Sequence, residues 1–350
     1  MERRRLGRTD LDVSAICLGT MTWGEQNTEA EGHQQMDLAL DRGIDFFDTA
    51  ELYAIPPKPE TAGRTEEIIG TWFKARGNRD KVILATKIVG RSDRMDWFRD
   101  GGTLADLSAN QVREAVEKSL KRLQTDYIDL YQVHWPDREV SMFGSNPTVY
   151  ATPDKKPEVP IEETLETLYR LVEEGKIRHI GLSNESAWGT MRYLHLAETH
   201  GWPRVQSIQN AYSLVNRTFE VGLAEIATRE DVGLLAYSAL AQGYLTGKYR
   251  DGALPKRSRK QLFDRLQRYE KPGAEAAVNA YLDLAAEHDL DPSQMAIKFA
   301  MTRPFMTSVI IGATTLEQLK TDIAAADLPW AEDLEAKINA IHQIHQNPCP

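Results

Sequence analysis

The chain of 350 residues alternates between short runs rich in β-branched residues and longer amphipathic segments along its whole length. Uninterrupted apolar runs are typical of strands buried on both faces, and their alternation with helical segments predicts βα units around a parallel sheet. The predicted strands cover residues 13–19, 44–49, 82–87, 128–134, 179–183, 207–210, 233–238 and 308–312. Eight such units are the number that closes a (β/α)8 TIM barrel, an α/β fold.

The amphipathic segments between these strands predict the helices. They cover residues 29–42, 64–76, 108–123, 161–174, 186–200, 216–229, 274–302 with a break at Asp291-Pro292, and 315–325. Ser108 and Gln111 have the spacing of a capping box. Asp291 followed by Pro292 predicts an N-cap with proline at the first helical position.

Three long connections, residues 88–107, 135–160 and 239–273, follow predicted strands. Barrel enzymes build their active sites from loops at the C-terminal ends of strands, so this asymmetry predicts which end of the barrel is functional. Residues 3–13 are expected to form a β-hairpin across the other end, and residues 331–345 an extra C-terminal helix. No Pro/Ser/Gly-rich linker divides the chain, which predicts a single domain over residues 1–350.

Composition narrows the functional classes. A formal net charge of -10 argues against a nucleic-acid partner. Cys17 and Cys349 lack metal-ligand or disulfide-framework spacing, which favours a reducing compartment, the cytoplasm. The sequence MERRRLGRTD has no apolar stretch behind its arginines, and no segment approaches ~18 consecutive apolar residues. We therefore expect a soluble cytoplasmic protein with no membrane partner, and the histidines do not suggest a metal site.

Polar and aromatic residues with catalytic potential lie where three neighbouring predicted strands end. Asp48 ends the second strand, Lys87 the third and His134 the fourth, and Tyr53 follows Asp48 by five positions. Consecutive barrel strands lie about 4.8 Å apart, so these side chains are expected to converge. The alternative for Asp48 and Tyr53 taken alone is a helix N-cap and an aromatic lid.

These residue types can deliver a proton to a carbonyl oxygen while a hydride reaches its carbon. The ammonium of Lys87 is expected to lower the pKa of Tyr53 from its ordinary value near ~10, which makes Tyr53 the proton donor. Asp48 would keep Lys87 charged and oriented, and His134 would donate a hydrogen bond to the substrate oxygen.

Longer segments resemble one known family. They are LGRTDLDVSAICLGTMTWG, DTAELY followed by TEEIIG, SLKRLQTDYIDLYQVHWPD, GKIRHIGLSNES, LLAYSALAQGYLTGKY and IIGATTLEQLK. Together they are similar to signatures of the aldo-keto reductases, which carry an Asp, Tyr, Lys, His tetrad on a (β/α)8 barrel and use a nicotinamide cofactor. The details PPKPET and GATTLEQLKT look most like the bacterial Tas-type, NADP(H)-dependent branch.

Carried over position by position, the resemblance implies a set of residues that bind NADP(H). They are Thr20, Met21, Asp48, Ser183, Asn184, Gln209, Tyr237, Ser238, Leu240, Gly243, Lys248, Arg259, Gly312, Thr314, Gln318 and Asp322. Tyr237 would stack on the nicotinamide, Lys248 would line the pyrophosphate channel and Arg259 would hold the 2'-phosphate. Arg259 also fits a solvated charge run, and Gln318 also fits a capping box with Thr315.

The sequence departs from the family pattern at two places. Asp322 occupies a position where Asn is common, and a carboxylate accepts from the adenine amino group but cannot donate to a ring nitrogen. The insert AIPPKPETAGR after Tyr53 replaces a short Gly-rich turn, and its three prolines make it stiff.

The expected function is NADPH-dependent reduction of aldehydes or ketones, with a small carbonyl compound as the substrate. Trp23, Tyr53, Trp97 or Phe98, and Trp135 are expected to build an aromatic substrate pocket together with the 135–160 loop. The alternative is a nucleotide-sensing regulatory subunit of the kind that resembles this family in potassium-channel β subunits. The presence of His134, which those subunits usually lack, favours catalysis. The sequence leaves the physiological substrate and the oligomeric state open.

Overall fold

A closed barrel of parallel strands forms the centre of the molecule. The computed structural model describes residues 1–143, 152 and 157–350. The strands are β1 Arg3–Arg5, β2 Asp12–Ser14, β3 Ile16–Gly19, β4 Phe46–Asp48, β5 Ile83–Ile88, β6 Ile128–Val133, β7 Ile177–Ser183, β8 Val205–Ala211, β9 Gly233–Tyr237 and β10 Met306–Ile311. Strands β3 to β10 pair in the order of the chain, and β10 pairs with β3 to close the barrel. The predicted TIM barrel is confirmed.

Helices alternate with the barrel strands, as the amphipathic segments predicted. They are α1 Glu29–Asp41, α2 Arg64–Arg76, α3 Ala109–Leu123, α4 Ile161–Glu173, α5 Ala187–His200, α6 Leu223–Glu230, α7 Arg259–Phe263, α8 Ala274–Glu287, α9 Pro292–Met301, α10 Leu316–Ala324 and α11 Glu332–Ile344. Asp291 caps α9 by accepting from the backbone amides of Ser293 and Gln294 at 2.8 and 3.0 Å. The predicted break between α8 and α9 is confirmed, and so is the extra C-terminal helix, α11.

The N-terminal hairpin closes one end of the barrel. β1 and β2 pair antiparallel, with Arg4 opposite Val13. Leu6 and Val13 are fully buried in one apolar cluster with the interior barrel residues Cys17, Phe46, Ala85, Leu130 and Leu235. The predicted hairpin is confirmed, and its burial leaves the opposite end of the barrel for the polar site.

Three local expectations differ from the structure. Ser108 does not cap α3, because its hydroxyl donates to the Asp106 carboxylate at 2.6 Å instead. The helix expected over residues 216–229 begins at Leu223, after a 3-10 turn at Thr218–Val221 and a non-helical Gly222. The long connection after β9 contains a short helix, α7, that the pattern did not predict.

None of the helices in the described part of the chain combines the length and apolar character needed to cross a lipid bilayer. Across the same residues, no group of three or more His, Cys, Asp or Glu side chains is arranged to hold a metal ion.

Candidate active site

The C-terminal ends of β4, β5 and β6 bring the expected catalytic side chains together. Asp48 is the last residue of β4, Lys87 lies near the end of β5, and His134 directly follows β6. The strand register places Asp48 opposite Ala85 and Lys87 opposite Gln132. All three side chains therefore converge at the end of the barrel opposite the hairpin, where the loop after β4 adds Tyr53.

Lys87 lies at the centre of this cluster and is fully buried. Its ammonium donates to Asp48 Oδ2 and to the Thr49 carbonyl, both at 2.7 Å, and lies 3.4 Å from the Tyr53 hydroxyl. Burial alone lowers the pKa of Lys87, but the negative charge of Asp48 and the contact with Tyr53 outweigh it, so the pKa is raised. Lys87 is therefore held in its charged form beside the phenol.

The second oxygen of Asp48 is fixed by two amides inside the barrel. Oδ1 accepts from Gln209 Nε2 at 2.8 Å and from Gln132 Nε2 at 3.2 Å. Thr20 donates to the backbone carbonyl of Asp48 at 2.9 Å. The two amides donate to Oδ1, because a carboxylate oxygen is a hydrogen-bond acceptor. They thereby hold the other oxygen, Oδ2, toward Lys87. Asp48 thus accepts from side chains inside the barrel, whereas the alternative role, a helix N-cap, would have it accept from backbone amides.

Tyr53 differs from the expectation in the direction of its pKa shift. Burial raises the pKa of Tyr53, and the positive charge of Lys87 lowers it by a smaller amount. The sequence correctly indicated the effect of the ammonium, but it gave no measure of how completely the phenol is removed from water. At neutral pH the hydroxyl is protonated, which is the form that a proton donor requires.

His134 completes the cluster as a neutral imidazole. Its ring lies edge-on to the Tyr53 ring, with centroids 5.7 Å apart. Burial lowers the pKa of His134 well below its ordinary value, and the positive charge of Lys87 lowers it further. Within the described residues, the buried Nδ1 atom has no hydrogen-bond partner. A neutral imidazole can donate from one nitrogen, so His134 is suited to bind an oxygen atom of a ligand.

The residues expected at the nicotinamide end form one hydrogen-bonded group beside the tetrad. The Tyr237 hydroxyl donates to Asn184 Oδ1 at 2.6 Å, and Asn184 Nδ2 donates to the His134 carbonyl at 2.8 Å. Ser183 donates to the Gln209 carbonyl at 2.8 Å. These contacts connect the ends of β6, β7, β8 and β9, so the expected cofactor residues border the catalytic cluster directly. Met21 lies at the same end, where its carbonyl accepts from the Ile55 amide at 2.9 Å.

The turn after β9 contains several residues with a left-handed backbone conformation. Ser238, Ala241, Gln242 and Gly243 all have positive φ angles, and a Cβ at Gly243 would lie 2.4 Å from Lys248 Cε. The Ala241 and Gly243 amides donate within the turn, to the Ser238 and Leu240 carbonyls at 2.8 Å. Glycine permits the close approach of the lysine. The half-buried Leu240 lies in the same turn. The turn therefore holds the ammonium of Lys248 close to its backbone.

Lys248 and Arg259 add two cations to this end of the site. Burial lowers the pKa of each of them, and their mutual repulsion lowers the pKa of Lys248 further. Neither forms an ion pair with a carboxylate within 4.0 Å in the described part of the chain. Half-buried cations without a close counter-charge favour an anionic ligand, so the residues present fit a phosphate-bearing cofactor.

Asp322 is buried on α10, within electrostatic reach of Lys248. Burial and the neighbouring Asp291 raise the pKa of Asp322 to about 7, and Lys248 partly opposes them. Nearby, Thr315 caps α10 through the Gln318 amide at 3.2 Å, while the Gln318 side chain accepts from the Thr314 amide at 2.9 Å. The capping box is thus only half formed. Gly312 is exposed just before this helix.

Three of the four aromatic residues expected in the substrate pocket lie together, and one does not. Tyr53 and Trp97 pack against the apolar cluster that contains Trp135. Trp23 is instead fully buried in the main core and donates to Gln35 Oε1 of α1 at 3.1 Å. The structure therefore places Trp23 apart from the other three, with its indole beside Gly32 of α1. The 135–160 loop lies partly outside the described residues.

A buried ion pair beneath the Tyr53 loop was not found from the sequence. Arg99 donates to both carboxylate oxygens of Glu51 at 2.8 Å, and Glu51 Oε1 also accepts from the Val89 amide at 2.8 Å. Both side chains are essentially inaccessible to solvent. The pair connects the loop after β4 to the loop after β5 and so supports the position of Tyr53. In the sequence, the feature that could have indicated this pair is an acidic residue, Glu51, among the apolar and aromatic residues before Tyr53.

The buried environment of His134 leads to a prediction in solution. We expect its imidazole to remain neutral at about pH 6, below the ordinary histidine pKa of about 6.5, because burial and Lys87 both disfavour the imidazolium. Long-range 1H–15N spectra of the histidine-labelled protein can check this, with a His134→Gln variant to assign the signal. An imidazolium signal for His134 at that pH would contradict the assignment.

Comparison with known proteins identifies relatives of this chain. Residues 15–343 match the model of the aldo/keto reductase family. The chain is 49% identical to "Protein tas" of Escherichia coli over the full length of both proteins. It is 35% identical to the uncharacterized oxidoreductase YrpG of Bacillus subtilis, over 97% of this chain and 96% of that protein. It is 30% identical to a probable voltage-gated potassium channel subunit beta of Arabidopsis thaliana, over 94% and 92%. The chain therefore belongs to the aldo/keto reductase family.

Proposed function

We propose that this member of the family is an NADPH-dependent reductase that converts aldehydes or ketones to alcohols. The observation that carries the proposal is the Tyr53 hydroxyl, which lies 3.4 Å from a fully buried ammonium and beside a neutral imidazole. A phenol in this position can supply a proton and then be stabilised as a phenolate by Lys87.

Each residue of the cluster has a separate task in this reaction. The neutral His134 donates a hydrogen bond to the carbonyl oxygen and orients it toward Tyr53. Tyr53 transfers its proton to that oxygen, and the charge left on the phenolate is balanced by Lys87. Asp48 keeps Lys87 charged and in place. NADPH, when bound, supplies the hydride for the carbonyl carbon, which balances the two-electron reduction.

The residues that would hold NADPH follow from the fit of the site. The turn from Ser238 to Gly243, together with Lys248, would take the pyrophosphate, and Arg259 the 2'-phosphate. Ser183, Asn184 and Gln209 would hold the carboxamide next to Tyr237. Asp322 would lie near the adenine, where a carboxyl group with a pKa of about 7 can be neutral or ionised at physiological pH. A neutral carboxyl group can also donate a hydrogen bond. Asp322 could then donate to a ring nitrogen of the adenine, as Asn does.

A regulatory role is the second candidate, because one relative carries the name of a probable potassium channel subunit beta. The intact Tyr53, Lys87 and His134 cluster favours catalysis. NADPH oxidation with 4-nitrobenzaldehyde and a broad panel of other carbonyl compounds separates the two roles. Tight NADPH binding without turnover on any of them would favour the regulatory role.

We also propose a cytoplasmic location and no nucleic-acid or membrane partner. The acidic net charge and the two buried free thiols, Cys17 and Cys349, support this proposal.

Replacing Tyr53 by Phe removes the proposed proton donor while keeping the ring. We expect Tyr53→Phe to lower the rate of carbonyl reduction by a factor of about 10² to 10⁴, the usual contribution of general acid catalysis. NADPH affinity, measured by fluorescence titration, should change little. Turnover near the wild-type rate would assign the proton transfer to another group.

Cofactor preference tests the proposed role of the half-buried cations Lys248 and Arg259. We expect NADP(H) to bind more tightly than NAD(H), because Lys248 and Arg259 can form charge-assisted hydrogen bonds to an additional phosphate. Arg259→Ala should reduce this preference. Arg250→Ala, which removes an exposed arginine paired with Asp283, serves as the control. Equal affinities for both cofactors in the wild-type protein would refute the preference, and an unchanged ratio in Arg259→Ala would assign it to Lys248.

A further inference from the structure

An arginine lies at the mouth of the site and is not used by the mechanism above. Arg268 belongs to the 3-10 turn Gln267–Tyr269, in the long connection between β9 and β10. Its guanidinium carbon is 5.8 Å from the centre of the Tyr237 ring and 5.5 Å from the centre of the Phe143 ring. Because Tyr237 ends β9 and Phe143 lies in the loop after β6, Arg268 bridges two sides of the barrel mouth.

A continuous wall of rings leads from the proposed proton donor to this guanidinium. The rings of Tyr53 and His134 are 5.7 Å apart, those of His134 and Trp135 are 5.0 Å apart, and those of Trp135 and Phe143 are 5.7 Å apart. Phe143 then contacts Arg268. Tyr53 and Arg268 are thus the two ends of one unbroken series of neighbouring side chains.

Among the residues that the structure describes, no carboxylate pairs with the guanidinium of Arg268, unlike other arginines on the same rim. Arg91 pairs with Asp137 at 2.8 Å, and Arg138 pairs with Glu185. Among the described residues, the polar neighbours of Arg268 are the phenols of Tyr237 and Tyr269. Arginine carries donors in a planar fork that matches a carboxylate, so an unpaired guanidinium in a cleft favours an anionic ligand.

We propose that the substrates of this enzyme are carbonyl compounds that also carry a carboxylate, which Arg268 binds. The carbonyl group lies at Tyr53 and His134, and an aromatic or short apolar segment between the two groups packs along Trp135 and Phe143. This inference rests on the proposed reductase function. It assigns Arg268 to substrate specificity, whereas Lys248 and Arg259 serve the cofactor.

The test compares 4-carboxybenzaldehyde with 4-nitrobenzaldehyde. Both have a planar group with two oxygens opposite the aldehyde, but only the carboxylate carries a net negative charge. Arg268→Gln should lower kcat/KM for 4-carboxybenzaldehyde by roughly ten- to a hundredfold, the effect of losing a charge-assisted hydrogen bond. The value for 4-nitrobenzaldehyde should change by less than about threefold. Differences in intrinsic reactivity cancel, since each aldehyde is compared between variant and wild type.

Two further variants distinguish recognition from general charge or folding effects. Arg265→Gln removes an exposed arginine from the same connection and should leave both kcat/KM values unchanged. Arg268→Lys keeps the charge but not the planar fork and should retain part of the activity toward 4-carboxybenzaldehyde. Similar losses for both aldehydes in Arg268→Gln, or no loss for either, would overturn the proposal. Weaker NADPH binding with unchanged discrimination would overturn it as well, because Arg268 would then belong to the cofactor site.

A binding measurement separates this inference from the proposed reduction itself. Calorimetric titration with 4-(hydroxymethyl)benzoate, the alcohol product, should show binding to the wild-type protein and a loss of at least tenfold in Arg268→Gln. If neither aldehyde is reduced but this difference is present, the reductase function fails while the carboxylate site stands. If both aldehydes are reduced but 4-(hydroxymethyl)benzoate binds both proteins equally, the carboxylate site fails and the reductase function stands.

Discussion

The ion pair between Lys87 and Asp48 is the interaction on which the rest of the site depends. Both groups are removed from water, which costs several kcal/mol per ion unless further hydrogen bonds compensate. The Thr49 carbonyl completes the contacts of the ammonium, while Gln132 and Gln209 bind the other carboxylate oxygen. Losing one partner of such a pair typically costs about 3 to 5 kcal/mol, so the pair constrains which residues can occupy this end of the barrel.

This constraint divides the barrel interior into two ends. At the hairpin end, Leu6 and Val13 complete an apolar cluster with Phe46 and Leu130. At the other end, polar side chains from four strands meet around Lys87, and the loops after those strands exclude water from them. The same exclusion raises the pKa of Tyr53 and keeps His134 neutral. The protonated phenol and the neutral imidazole therefore both result from burial around one charged group.

The sequence predicted the barrel because its buried strands are continuous apolar runs, a pattern set by local side-chain character. It also indicated the positions of Asp48, Lys87 and His134, because consecutive parallel strands end side by side. The burial of Tyr53 and the position of Trp23 beside α1 depend on how the loops fold over the barrel. The spacing of residues along the sequence does not predict that folding. Gln132 was missed for the same reason: a polar residue in an apolar strand has a partner only after the barrel closes.

The buried pair of Glu51 and Arg99 shows a further limit of sequence reasoning. Its residues are 48 positions apart and lie in two irregular loops, so no periodicity connects them. The same holds for Arg268 and Phe143, which meet across the mouth from different connections. Contacts of this kind become visible only in the three-dimensional arrangement of the loops.

We propose that the charge of Lys87, held by Asp48, makes Tyr53 a usable acid. The most direct test is the pH dependence of alcohol oxidation by Lys87→Met, beside the wild type and Lys81→Met, which removes an exposed lysine just before β5. Lys87 lowers the pKa of Tyr53, so its loss should raise that pKa, shift the residual activity to higher pH and remove most of the turnover. Full activity with an unchanged pH profile would contradict the account, because Lys87 would then serve only to pack the barrel.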